Sequence, residues 1–558
     1  MDLLCSLSLI SQIYMKIAIA QITTHPGRIK ENTDKILSWI ENAKSQNADI
    51  VVFPELTIPG YTAMDLFLND SYIEENVEAL RAITKATKGI KAIVGFVDVD
   101  RQRIRPDKKL IRYNTAALID DGKILALRDK TLLPEYDIFM EKRYFAASRQ
   151  RGLLDLFDMK IGLQICEDIY SWGYPVNVTE EYLEGGMELL INISASPFSV
   201  GKRKTRFDWI NLATKSRKVP VVYVNTVGSY DGYEGEIVFD GRSFILNENG
   251  VLVAQAKAFE EDLVVVDMPN DKLLVHYEDN DIRDVYNALV LGIKSYAERC
   301  GFKRACLGIS GGIDSAIVAA LSVDAFGADA VTLISMPSQY SSEATRVDAK
   351  RVAKSLKTKF LEISIQPLFE AYQSELGPKI YNEAPQENDA TYENIQSRIR
   401  GNILMAYSNR TGALLFNTGN KTELALGYCT LYGDMNGAIS PLGDISKTRI
   451  YELANYINRR SEVIPTSIIE RPPSAELKPD QTDEQGLGAP YSILSPLVDE
   501  IVEQDSEFDD LKKRYPADVI EGVQKRIKLN EFKRRQAPPS IRITDKAFGL
   551  GRRIPISY

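Results

Sequence analysis

From residue 15 to about 268 the hydrophobic positions fall into short runs separated by polar or glycine-containing breaks: "KIAIAQ", "DIVVFPE", "AIVGFVDV", "TAALID", "ILALRD", "KIGLQIC", "LLINISA", "VVYVNTV", "SFILNE" and "LVVVDM". Runs this short and this rich in Val and Ile predict strands. Between several of them apolar residues recur at helical spacing, over 30–46 and 73–88. Strands alternating with helices predict an α/β domain, and this many strands predict two packed sheets with helices outside.

A polar stretch follows, "PNDKLLVHYEDND" at 269–281, and the pattern then changes. A helix, "IRDVYNALVLGIKSYAERCGF", leads into strand "RACLGIS", helix 314–326, strand "AVTLISM", helix 342–356 and strand "KFLEISI". That order predicts a parallel, doubly wound sheet. The organisation is therefore a first domain over 15–268, a linker over 269–281 and a second domain over 282–558. The leading segment 1–14, "MDLLCSLSLISQIY", is apolar but carries Asp2 and no basic start, so it does not read as a signal peptide; folding is expected to begin at Met15. Beyond about 455 the periodicity loosens into "ERPPSAELKPDQTDEQGLGAP", which fits a lid over a site and a surface loop equally well.

Composition narrows the chemistry. At 558 residues the chain exceeds one core, and no stretch is long and apolar enough to span a bilayer. A net charge of -9 argues against a broad nucleic-acid-binding face while leaving room for small anionic ligands. The five cysteines lack paired spacing, which fits a reducing, cytoplasmic setting without disulfides or a zinc cluster. Only two histidines occur, His25 and His276, so a Ser-His-Asp triad, a HExxH zinc site and multi-histidine metal centres are all disfavoured.

Two constellations remain. Glu55 ends "DIVVFPE", Lys130 follows "ILALRD" and Cys166 ends "KIGLQIC", so a carboxylate, an ammonium and a thiol all stand where predicted strands finish. Strand ends on one edge of a sheet converge. With no histidine to serve, Glu55 can take the thiol proton, Cys166 can attack an amide carbon and Lys130 can stabilise the oxyanion. Taken singly, a cysteine at a strand end is also a common core residue, and Glu with Lys an ordinary ion pair. The second constellation is "SGGIDS" between a strand and a helix. Its free N–H groups and the positive helix end face one spot suited to pyrophosphate, although a tight turn capped by Asp314 or Ser315 gives the same pattern. Neither a Walker A sequence nor GxGxxG is present.

The segments "PELTIPGY" (54–61), "KTLLPEYDIFMEKRYF" (130–145) and "QICEDIY" (164–170) resemble, in order, the signatures of the nitrilase superfamily of carbon–nitrogen hydrolases. That resemblance covers roughly 15–268. It implies an α-β-β-α sandwich, a thioester intermediate, glutamine contacts at Tyr136, Ser196 and Lys202, and Glu141 as an additional acid. The loop Gly308, Ile309, Ser310, Gly311, Gly312, Ile313, Asp314, Ser315 resembles the pyrophosphate loop of N-type ATP pyrophosphatases. With "ENIQSRIRGNILMAYSN", "NTGNKTELALGYCTLYGDMNGAISPLGDISKT", "RPPSAELKPDQTDE" and "EFKRRQAPP", the second half resembles the NAD synthetases, and its fusion to a nitrilase-type domain their glutamine-dependent form.

The resemblance implies ATP contacts along that loop and at Thr418, Lys447 and Ser474, and deamido-NAD contacts at Asn394, Arg398, Glu423 and Lys533. Asp314 and Glu423, as hard oxygen ligands, suit Mg²⁺ on the ATP phosphates. Leu431 and Ala438 replace a lysine and an aspartate of the ammonia-using synthetases, which leaves the contacts there unassigned. Ammonia is expected to move through a closed passage, and the family implies a homo-oligomer built on a synthetase-domain dimer, with no nucleic-acid or membrane partner. Two rivals share the motifs: an amidotransferase that activates a different acid or nucleobase, and an amidase whose second domain only senses nucleotide.

Overall fold

The computed structural model describes residues 15–104, 110–148, 150–270, 272–274, 280–380, 389–479, 481–549 and 551–556. The leading segment 1–14 and much of the expected linker lie outside them. The described chain divides into two compact units. One holds the chain up to Pro197, Gly201–Gly228 and the strands from Phe239 onward; the other holds Phe198–Val200, Ser229–Val238 and the second half. Both short inserts lie inside the stretch read from sequence as the first domain. Ser229–Val238 joins the second unit where Gly235–Ile237 pairs in parallel with Ser540–Arg542, and Phe198–Val200 where the Val200 N–H donates to the Ile543 carbonyl at 3.0 Å.

The first unit is the expected two-sheet arrangement. One six-stranded sheet runs in the order Asp262–Met268, Met15–Gln21, Ile50–Val52, Lys91–Ile104, Leu110–Asp120, Lys123–Asp129. The other runs Leu252–Gln255, Phe244–Leu246, Val221–Asn225, Leu189–Ser194, Met159–Ile165, Leu154–Leu156. Side-chain alternation explains why their runs are apolar without a polar face. In Met15–Gln21, Ala18 and Ala20 pack against Ile36, Ile40 and Ile83 of the helices Ile29–Ser45 and Asp70–Ala86. Ile17 and Ile19 point the other way and meet Leu163, Ile165, Ile191 and Val222 of the second sheet. On the far side Leu190, Tyr223 and Phe244 are covered by Ile210 of the helix Lys202–Ala213. Every central strand is thus buried on both faces, at roughly 1.5–3 kcal/mol for each large aliphatic side chain enclosed. The layers are helix, sheet, sheet, helix.

The second unit carries a four-stranded parallel sheet in the order Lys359–Glu362, Val331–Ser335, Ala305–Gly308, Leu414–Leu415. Chain order reverses beside Ala305–Gly308, and a doubly wound sheet opens its ligand crevice at such a point. The helix Ile313–Phe326 that follows is apolar nearly all round and buries Ile313 and every residue from Ser315 to Ser322, so it is a core helix. Its N-cap is Gly312, not Asp314 or Ser315. Among the described residues no helix is long and apolar enough to cross a membrane.

Gly311 shows why the loop needs glycine. Its φ is +84°, and a Cβ there would stand 2.1 Å from the carbonyl oxygen of Thr345. Replacing Gly311 by Ala should therefore shift the loop, at a strain on the order of 1–3 kcal/mol, and weaken the ATP binding that the resemblance implies, measured by calorimetry, by roughly tenfold or more. Gly327→Ala, where φ is +83° but the space is open, should leave that affinity unchanged.

Candidate active sites

In the first unit the three strand ends do converge. Glu55 is 1% exposed; its Oε1 accepts from Lys130 Nζ at 2.8 Å and Asn114 Nδ2 at 2.7 Å, and its Oε2 accepts from the Ala195 N–H at 2.9 Å. Lys130, equally buried, also donates to Glu141 Oε1 at 2.7 Å, which Tyr61 reaches at 3.1 Å. One ammonium thus stands between two carboxylates away from water. Burial works against that ammonium, but Glu141 and Glu55 outweigh it and hold Lys130 well above the usual lysine range. Burial, reinforced by Glu55 and opposed by Lys130, pushes Glu141 up to about 7.

Cys166 follows directly on the strand Met159–Ile165, at φ 44°, a left-handed conformation unusual for a side chain with a Cβ and typical of a nucleophile held on a sharp bend. Asp168 fixes that bend, accepting from the Ile165 N–H at 3.2 Å, Thr131 N–H at 3.0 Å and Leu132 N–H at 2.8 Å, and so ties the Cys166 turn to the segment after Lys130. Burial first, then the charge of Glu55, raises the Cys166 thiol far above its ordinary range against the pull of Lys130. At rest the sulfur is a thiol and needs a base.

Of the residues implied to hold glutamine, Tyr136 bonds through its hydroxyl to the Glu167 carboxylate at 3.0 Å, where Tyr174 also donates at 3.0 Å. Ser196 is 4% exposed just past the strand Leu189–Ser194, next to the Ala195 N–H that grips Glu55. Lys202 opens the helix Lys202–Ala213 and is half-buried. Asn114 and Arg206 lie in none of the sequence motifs, and Asp168 stands in one without an assigned role, yet each bonds to this wall of the unit.

In the second unit the loop Gly308–Ser315, with Thr418, Lys447 and Ser474, lines a single cavity of about 330 Å³ together with Glu423. Lys447, 1% exposed, contacts Asp314 Oδ2 and lies 3.7 Å from Glu423 Oε1. Asn420 secures both carboxylates: its Nδ2 donates to Asp314 Oδ1 at 3.1 Å and its N–H to Glu423 Oε2 at 3.2 Å. Burial and the charge of Asp314 push Glu423 up to about 8 despite Lys447. Asp483, 5% exposed, adds a third carboxylate to the lining.

The loosened segment after 455 covers this cavity in part. Arg471 donates to the Gly311 carbonyl at 3.3 Å, and Glu476 accepts from the Thr345 hydroxyl at 2.9 Å. Asn394, Arg398 and Lys533 do not line the cavity. Asn394 accepts from the Thr430 hydroxyl at 2.8 Å, and Arg398 donates to the Leu431 carbonyl at 3.2 Å. Lys533 spans the Gly427 and Cys429 carbonyls at 2.9 and 2.8 Å, capping the helix Lys421–Leu426.

Comparisons with known proteins agree with this division. Residues 16–273 match the carbon–nitrogen hydrolase family and residues 285–537 the NAD synthase family. The chain is 40% identical over 556 residues to a glutamine-dependent NAD(+) synthetase of Synechocystis sp., covering 97% of this chain and 98% of that one. It is 39% identical to the Acinetobacter baylyi protein of the same name, at 97% and 98% coverage. Among solved structures, the Acinetobacter baumannii glutamine-dependent NAD+ synthetase in complex with ADP is similar with TM-score 0.76 and 35% identity, over 97% of this chain and 98% of that chain.

The Glu141 carboxyl yields a pH signature. Raised to about 7, it holds its proton below that pH and releases it above, when its carboxylate can pin Lys130. Amide hydrolysis at Cys166 should therefore rise as pH passes through about 7, and Glu141→Gln, fixed in the neutral state, should be slow and lack that limb in a kcat–pH profile.

Proposed function

The chain belongs to the glutamine-dependent NAD(+) synthetase family, and on that premise we propose how its two sites divide the reaction. It is an ATP-dependent amidating ligase with a carbon–nitrogen hydrolase unit and an NAD synthase unit, and it uses ATP and glutamine as substrates. The observation that supports the division best is the meeting of Glu55, Lys130 and Cys166 in one buried cluster of the hydrolase unit.

In that unit Tyr136, Ser196 and Lys202 hold glutamine. Cys166 Sγ attacks the side-chain amide carbon while Glu55 takes the thiol proton, and Lys130 offers an N–H to the developing oxyanion. The carbon–nitrogen bond breaks and nitrogen leaves as ammonia with the proton Glu55 carried. Water then adds to the thioester, Glu55 takes its proton, and glutamate departs from the restored thiol.

In the synthase unit Asn394, Arg398, Glu423 and Lys533 hold deamido-NAD. Its nicotinate carboxylate attacks the α-phosphorus of ATP, and pyrophosphate leaves into the N–H groups of Ser310–Gly312 beside Lys447. Ammonia adds to the acyl adenylate carbonyl and displaces AMP, giving NAD. Asp314 and Glu423 fit a hard divalent cation: both are oxygen donors that line the cavity beside Lys447, and a cation there would take the place of the proton that burial holds on Glu423. Mg²⁺ there would supply charge neutralisation for the departing pyrophosphate. The assembly is a homo-oligomer built on the synthase unit.

Cys166→Ala should lose glutamine-driven NAD formation while keeping synthesis from free ammonia. Loss of both, or survival of both, contradicts the assignment. During turnover with unlabelled glutamine, added ¹⁵N-ammonium should stay out of the product; substantial incorporation would mean that the released ammonia mixes with solvent.

A further inference from the structure

Ser196 is held more rigidly than a surface contact residue. Its N–H donates to Asn225 Oδ1 at 2.8 Å, and its carbonyl accepts from Asn225 Nδ2 at 3.1 Å. The Arg206 guanidinium reaches it from behind. Nε donates to Ser196 Oγ at 3.2 Å, and one terminal nitrogen donates to the Ser196 carbonyl at 2.9 Å and the Pro197 carbonyl at 3.2 Å. Arg206 is 2% exposed, and its other terminal nitrogen pairs with Asp240 at 2.8 Å, itself fully buried.

An arginine only donates, so the direction of the bond to Ser196 Oγ is forced: the hydroxyl accepts from Arg206, and its own hydrogen is left to give. Asp240 offsets the guanidinium charge, so what favours an anion at this spot is the Ser196 O–H itself, left to donate. The other ionisable side chain next to Cys166 in sequence, Glu167, is a carboxylate held by Tyr136 and Tyr174, and it repels an anion from its side. Arg206 holds Ser196, and the Ala195 N–H next to it in the chain grips Glu55, which puts the guanidinium behind the wall of the same site.

We propose that Arg206 is the positioning residue that fixes Ser196 as a hydrogen-bond donor to the α-carboxylate of the amino-acid substrate. Arg206 does not touch the substrate; it sets which end of glutamine lies at Ser196. The inference rests on the reading of Cys166 as the glutaminase nucleophile and Ser196 as a glutamine contact.

The test compares glutamine with 4-aminobutanamide, which keeps the amide and the amine but lacks the α-carboxylate. In Arg206→Gln the KM for glutamine should rise at least about tenfold, the loss expected of one charge-assisted hydrogen bond, with kcat little changed. Hydrolysis of 4-aminobutanamide should keep its kcat/KM, and ammonia-driven synthesis should persist as the sign of a folded chain. Arg206→Lys keeps the charge but not the fork, and should give an intermediate KM for glutamine alone; it decides the matter if Arg206→Gln does not fold. Equal losses on both substrates, or a fall in kcat alone, would overturn the proposal and make Arg206 a brace of the fold. Ser196→Ala separates the two readings: an unchanged KM for glutamine there sinks the assignment of Ser196 itself, whereas a raised KM there with unaffected Arg206 variants sinks only the role of Arg206.

Discussion

At each candidate site a buried lysine ammonium stands between two carboxylates, and the proposed chemistry follows from the negative charge left over. Lys130 lies between Glu55 and Glu141, and Lys447 between Asp314 and Glu423. Removing such a cluster from water is expensive, and one ammonium cannot neutralise two carboxylates. The surplus appears as a raised proton affinity, with Glu141 pushed to about 7 and Glu423 to about 8, burial being the main cause in both. In the hydrolase unit the charge can be relieved by the proton of the Cys166 thiol. In the synthase unit we propose that a hard cation arriving with the phosphates relieves it.

The folds serve this arrangement by putting backbone N–H groups where charge collects. Glu55 receives the Ala195 N–H, Asp168 receives three N–H groups around the Cys166 bend, and Asn420 caps the helix that carries Glu423. These bonds fix carboxylates that would otherwise seek water. Sheets buried on both faces provide the rigid edges from which the cysteine bend and the glycine loop project.

Much of this could be read from the sequence because the chemistry sits at the ends of apolar runs. "KIGLQIC" became Met159–Ile165 with Cys166 on the bend, and "RACLGIS" became Ala305–Gly308 with the loop just beyond. "DIVVFPE" was read too long: the strand is Ile50–Val52, and Glu55 stands in the turn after it. What stayed hidden depends on distant pairing. Nothing local in 229–238 announces its pairing with Ser540–Arg542, and nothing in "KRKTRFDW" distinguishes the buried Arg203 and Arg206 from the exposed Lys204. Lys533 lies in a basic run, and nothing local announces that its ammonium spans the Gly427 and Cys429 carbonyls. Between lid and loop for the segment after 455, the bonds from Arg471 and Glu476 favour a cover over the cavity.

The charge balance at Cys166 is open to direct measurement by the rate of alkylation of Cys166 with a neutral reagent across pH, in the unaltered protein and in Glu55→Gln. The expected result is a resting thiol that ionises well above the ordinary cysteine range, and a shift to lower pH in Glu55→Gln, where Lys130 acts on the sulfur with less opposition. A thiolate already formed at neutral pH in the unaltered protein, or a profile that Glu55→Gln does not move, would contradict the claim that surplus carboxylate governs the site.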